Sequence, residues 1–163
     1  MKSLLTIFTL LLLLPVLAMA EDNDQETHAQ GYVFAAPGKL RSSSTLHFGG
    51  GAEFDLYKGL GFSTDIGYIS NPQCMGRGFG ILSPNVRFAF TNANDSKLVP
   101  YITGGYSLLF RSSSANSYNF GGGIDYWFHD KAALKVEFRD HVWRYSSYST
   151  YHIWQIRMGF SFR

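Results

Sequence analysis

Residues 131–143 read KAALKVEFRDHVW, and the fold turns on how they are read. Leu134, Val136, Phe138 and Val142 share one parity; Lys135, Glu137, Arg139 and His141 share the other. Alternation at period two marks a β-strand with one apolar face. A soluble β-protein turns such a face inward. A membrane barrel turns it outward to lipid and encloses the charged face. The rest of the chain decides between the two.

The same alternation recurs at 31–36, 45–57, 60–70, 80–90, 98–110, 118–128 and 151–162, which predicts eight strands in all. Lys58-Gly59 and His129 to Lys131 read as tight turns. The stretches 37–44, 71–79, 111–117 and 144–150 read as longer loops rich in Ser, Asn, Tyr or Gly. Short connections at one rim and long ones at the other are the layout of an outer-membrane barrel; 91–97 is long where that layout asks for a short turn. Segments of this length also exceed the usual soluble strand of about 5 or 6 residues.

What precedes the strands is of another kind. Lys2, an apolar run from Leu4 to Leu14, Pro15 and Ala18-Met19-Ala20 have the form of a secretory signal peptide cut after Ala20. An uncleaved anchor is the alternative, but the run is shorter than the about 20 residues a membrane helix needs. The expected organisation is a signal peptide over 1–20, a short tail over 21–30 and a barrel over 31–163. Residue 21 is Glu, not the Cys that a lipid-anchored protein carries after its cleavage site. The chain has 14 basic and 12 acidic residues, so loss of Lys2 leaves it almost neutral, which argues against nucleic acid as a partner. Its single cysteine, Cys74, has no partner for an internal disulfide. With 14 Phe, 10 Tyr, 3 Trp and 17 Gly, the composition favours strands and turns over helices.

Sorting each strand by parity gives one face with Phe48, Phe54, Phe62, Phe88, Leu108, Ile124, Val136, Phe138, Trp154, Ile156 and Phe160. Those side chains are too bulky to fill an eight-stranded barrel and leave room for a ligand, which argues against a soluble carrier. The other face carries Glu53, Asp55, Asp65, Arg87, Asp125, Lys135, Glu137, Arg139 and Arg157, set among Gly and Ser. Five acids face four bases there. Charges enclosed in a barrel must be paired, since an unpaired buried charge costs several kcal/mol. The charged face is therefore expected inside, as an ion-pair network, with the apolar face toward lipid. Tyr57, Tyr68, Phe90, Phe110, Trp127, Phe128, Tyr151 and Phe162 near strand ends are expected as interfacial girdles. Lipid leaves no backbone group unsatisfied, so the sheet must close; with eight strands side chains fill the interior and no open pore is expected.

The strands FGGGAEFDLY and NFGGGIDYWF, the stretches LVPYITGGYSLLF and ALKVEFRDH, and the alternating end Trp154, Ile156, Met158, Phe160, Phe162 together resemble the small outer-membrane β-barrels of the OmpA-like and porin-like group. The resemblance covers nearly all of the expected mature chain. It implies a single all-β, antiparallel, up-and-down barrel in a bacterial outer membrane, without the additional periplasmic domain of full-length OmpA-type proteins. It also implies contact with outer-membrane lipid, lipopolysaccharide included, and recognition by the barrel assembly machinery of a C-terminal signal, Phe160 and Phe162. Such barrels usually end on an aromatic residue; here Arg163 follows Phe162.

Some barrels of this size modify lipids, which requires a nucleophile, a base and an acid. His141 and His152 with Ser146, Ser147 and Ser149 are the candidates near one rim, but they form no ordered triad motif. A structural or surface-interaction role is the expected one, with no catalytic residue. The five histidines (28, 47, 129, 141, 152) lack metal-ligand spacing, so no metal or cofactor is expected. Arg111, Arg144 and Tyr145 are candidates for contact with lipopolysaccharide phosphates. The FGGG stretches are mid-strand, with no helix to make them phosphate loops.

Overall fold

A computed structural model describes residues 28–57, 59–70, 78–90, 97–111, 114–146 and 149–163. The expected signal peptide, most of the expected tail, Cys74, Ser147, and the side chains of Tyr57, Tyr145, Ser146 and Ser149 lie outside what it describes. Eight antiparallel strands, β1 (His28–Leu40), β2 (Ser43–Tyr57), β3 (Leu60–Ser70), β4 (Phe79–Ala89), β5 (Leu98–Phe110), β6 (Ser114–His129), β7 (Ala132–Ser146) and β8 (Ser149–Phe162), close into one barrel in chain order. Pairing of β1 with β8 seals the wall, so no sheet edge is left open.

Stepping sideways through paired residues from Ala29, by way of Phe120, Asp140 and Trp154, returns to β1 at Lys39. The stagger is thus ten residues (39 − 29). Ten over eight strands tilts each strand by about 40° to the barrel axis. Each pair of residues along a strand then climbs about 5 Å. Outward positions from Phe162 to Trp154 on β8 therefore span about 20 Å of height, close to the apolar band of a membrane barrel.

Three expected loops are strand instead. Residues 37–40 complete β1, and the connection to β2 shrinks to Arg41 and Ser42, with Arg41 at φ 56°. Pro37 had marked this stretch as loop. It is tolerated because it points away from the barrel interior and interrupts only the β1–β8 ladder, which skips residues 36 and 37 while its register carries on unchanged. Pro84 marks a similar gap in the β4–β5 ladder. Residues 114–117 belong to β6, and 144–146 with 149–150 extend the β7–β8 hairpin. Residues 28–30, expected as tail, pair with β2. The expected contrast between short and long rims does not hold: the two long connections, after β3 and after β4, lie at opposite ends. Gly59, at φ 83°, makes the tight β2–β3 turn; a Cβ there would meet the Ala89 carbonyl oxygen.

Burial settles which face is inside. Val33, Phe48, Phe62, Ile66, Phe88, Ile102, Phe120, Ile124, Phe138, Ile156, Met158 and Phe160 are all outward and at least 40% exposed, while Glu53, Asp65, Arg87, Asp125, Lys135, Glu137, Arg139 and Arg157 are at most 3% exposed. The charged parity of KAALKVEFRDHVW is inside. Among the expected girdle residues, Trp127 and Tyr151 share the inward parity, the first under the Arg163 guanidinium and the second beside Trp143 and Arg41.

Candidate functional site

The interior is built in layers. At the end nearer the β2–β3 turn, Arg87 bridges Asp125 (2.6 Å) and Asp55 (3.1 Å), and Lys135 bridges Asp125 (2.9 Å) and Glu53 (3.0 Å). Gln30 donates to Glu53 as well. Tyr101 joins this layer to the next: its ring lies under Arg87 and Lys135, and its hydroxyl donates to Glu137 (2.8 Å). In the middle layer Arg139 pairs with Glu137 (2.7 Å) and Asp65 (3.0 Å), and Arg157 donates to both oxygens of Asp65 (3.3 Å each). The structure thus places all nine residues of the expected network in one connected cluster, with Asp55 at its wetter end.

Glycine makes room for these long side chains. A Cβ at Gly51 would stand 2.6 Å from the Tyr32 hydroxyl, and one at Gly67 would stand 2.4 Å from His47 Nε2. Small residues on the inward parity are therefore a packing requirement of a narrow barrel.

A third, uncharged layer was not foreseen as a unit. Gln155 donates to His47 Nδ1 (3.0 Å), and its oxygen accepts from His141 Nε2 (3.0 Å) and Arg157 Nη2 (3.3 Å). Ser107 Oγ donates to His141 Nδ1 (3.0 Å) and accepts from Asn119 (2.9 Å) and Ser83 (2.8 Å). Above it, Ile69, Ile81, Leu109 and Ile153 are at most 5% exposed and form an apolar plug, with Leu40, Phe79 and Ala115 against them. Sequence parity carried a signal for the plug: Ile81-Leu82 and Leu108-Leu109 are apolar on both parities, so alternation breaks at that end of the strands.

The two candidate histidines of a catalytic cluster do not meet. His141 is fully buried inside, bonded to Ser107 and Gln155. His152 is on the outer wall, where its Nδ1 donates to Asp140 Oδ2 (2.7 Å). Asp140 occupies an outward position between Phe120 and Trp154 and is 8% exposed; sequence reading missed it. The Ser107–His141 pair is sealed between plug and charged layers, out of reach of a lipid. His152 has the orientation of a general base, with a carboxylate behind it, but no hydroxyl is hydrogen-bonded to it among the described residues. Arg111 and Arg144 are both exposed, on the separate strand ends of β5 and β7.

No protein-family model and no curated protein matches the sequence. Solved structures do. The N-terminal barrel domain of OprF from Pseudomonas aeruginosa superposes with a TM-score of 0.59 at 15% identity, covering 84% of this chain and 100% of that one. Neisserial surface protein A gives 0.67 at 11% identity, covering 86% and 99%. A de novo designed transmembrane β-barrel gives 0.58 at 19% identity, covering 87% and 98%. With its closed eight-stranded wall, polar filled interior and apolar exterior, the chain has the fold of the small outer-membrane β-barrels.

Proposed function

We propose that this is an integral protein of a bacterial outer membrane, non-catalytic and non-conducting, with a structural or surface-contact role. The observation that carries the reading is the inversion of polarity: a stack of salt bridges inside, and an apolar wall about 20 Å high outside. Solved structures of the same fold include the outer membrane protein OprG from Pseudomonas aeruginosa and Neisserial surface protein A, which supports the location. Outer-membrane lipid, lipopolysaccharide included, is the surrounding partner. The barrel assembly machinery reads the C-terminal strand, in which Phe160 and Phe162 face outward. Arg163 folds back onto the β6–β7 turn, its Nε donating to the Asp130 carbonyl oxygen (2.9 Å), which leaves Phe162 as the last outward aromatic.

In support of a non-conducting barrel, the ion pairs fill the lower part of the described interior and the plug of Ile69, Ile81, Leu109 and Ile153 occupies the upper. The protein reconstituted into a planar bilayer is expected to show no conductance steps above the bare membrane. Stable steps that vanish when Ile81 is enlarged to Phe would overturn the filled-interior reading.

A further inference from the structure

The outward charges are not spread evenly. Among the described residues of the strands, the outward Lys, Arg, Asp and Glu side chains are Lys39, Asp140 and Arg144; with His152 they all lie on β7, β8 and β1, and the other outward histidine, His129, is at the opposite rim, at the end of β6. The register shows how they sit. Lys39 pairs with Trp154, and Trp154 with Asp140; Arg144 pairs with Thr150. A strand tilt of about 40° and a strand spacing of about 4.8 Å then place Arg144, His152 and Lys39 within about 4 Å of one height, spaced about 8 Å apart around the wall. This row runs along the upper edge of the apolar band, just above Trp154. Around the rest of the barrel the outward positions at that height are Ser44, Ser70, Gly80, Phe110 and Asn116, none of them charged.

The row is also built. Asp140 lies below it, buried against an otherwise apolar wall, a costly place for a carboxylate. It holds the His152 ring through Nδ1, and Nε2 has no hydrogen bond to a described residue. Lys39 and Arg144 are exposed and make no ion pair with a described residue. Flexible cations at this height meet lipid headgroups, and a phosphate seated between Lys39 and Arg144 would lie against the His152 ring that Asp140 holds in place.

We propose that the β7–β8–β1 wall is a binding site for the phosphate of a membrane lipid, held by Lys39, His152 and Arg144 with Asp140 as the positioning residue. The proposal rests on the membrane reading above and deepens its lipid contact to one wall and one chemistry.

Trp154, paired with Lys39, is a built-in reporter. The protein is folded into phosphatidylcholine vesicles carrying a minority of lipid brominated on its acyl chains, either phosphatidic acid or phosphatidylcholine, and tryptophan quenching is compared. Brominated phosphatidic acid is expected to quench as though enriched about fivefold around the protein, the effect of about one well-placed cation. Lys39→Gln with Arg144→Gln is expected to remove that excess while leaving the barrel folded, as checked by its heat-dependent electrophoretic mobility. Equal quenching by the two lipids, or an excess that survives the double substitution, overturns the site. Loss of the excess on adding inorganic phosphate overturns the assignment to lipid in favour of a free anion. Absence of quenching by either lipid overturns the membrane reading itself.

Discussion

Asp65→Ala is expected to destabilise the barrel by about 3–5 kcal/mol, the cost of removing one partner from a buried ion pair. Asp65 is 1% exposed and accepts from Arg139 at 3.0 Å, from Arg157 at 3.3 Å, and from Tyr32 and Asn85 at 3.4 and 3.3 Å. Its loss leaves two guanidinium groups competing for Glu137, both of them at most 2% exposed. Urea unfolding of the protein in detergent micelles measures the effect. A double-mutant cycle identifies the cause: on the Asp65→Ala background, Arg157→Leu is expected to cost much less than on its own, since its Asp65 partner is already gone. A loss under about 1 kcal/mol for Asp65→Ala, or strictly additive costs, would mean that water reaches this layer and the network carries little weight.

The second large effect is on the other side of the wall. Val136 pairs with Met158 near mid-height of the outward band, and the two are 40% and 56% exposed. Val136→Arg is expected to cost about 2–4 kcal/mol when the protein folds into phosphatidylcholine vesicles, the depth-dependent cost of an arginine at the bilayer midplane. Thr150→Arg, on the outward parity at the upper rim, is the control, with an expected cost of about 0–1 kcal/mol. In water the two substitutions would be equivalent. Equal, small costs for both would mean that the outward wall does not face lipid.

Much of this fold was legible because a strand allows only two directions for a side chain. Once Lys135, Glu137 and Arg139 were on one parity and Leu134, Val136 and Phe138 on the other, the only open question was which set is enclosed, and near-balance of charge with small residues around it answered that. What was not legible depends on height and on neighbours around the barrel. The plug of Ile69, Ile81, Leu109 and Ile153 comes from four strands, and only the ten-residue stagger brings them to one level. His141 and His152 looked like neighbours at a rim, yet an odd and an even position face opposite sides of the wall. Asp140 is on the apolar parity, where alternation predicts no charge; its His152 partner is on the next strand, a contact set by register. The loop expectation failed at 37–44 for a local reason: proline is a turn residue by habit, but at Pro37 the missing N–H costs only one ladder bond.

If the barrel sits in a membrane, the charged face of 131–143 is enclosed and the apolar face meets lipid. Electrophoresis of the outer-membrane fraction, extracted in detergent and loaded with and without boiling in SDS, tests it most directly. The chain is expected with the outer membrane after an alkali wash, and its unboiled band is expected to migrate apart from the boiled one, as a closed barrel resistant to SDS. Recovery of the chain in the soluble periplasm, with a single mobility before and after boiling, would contradict it.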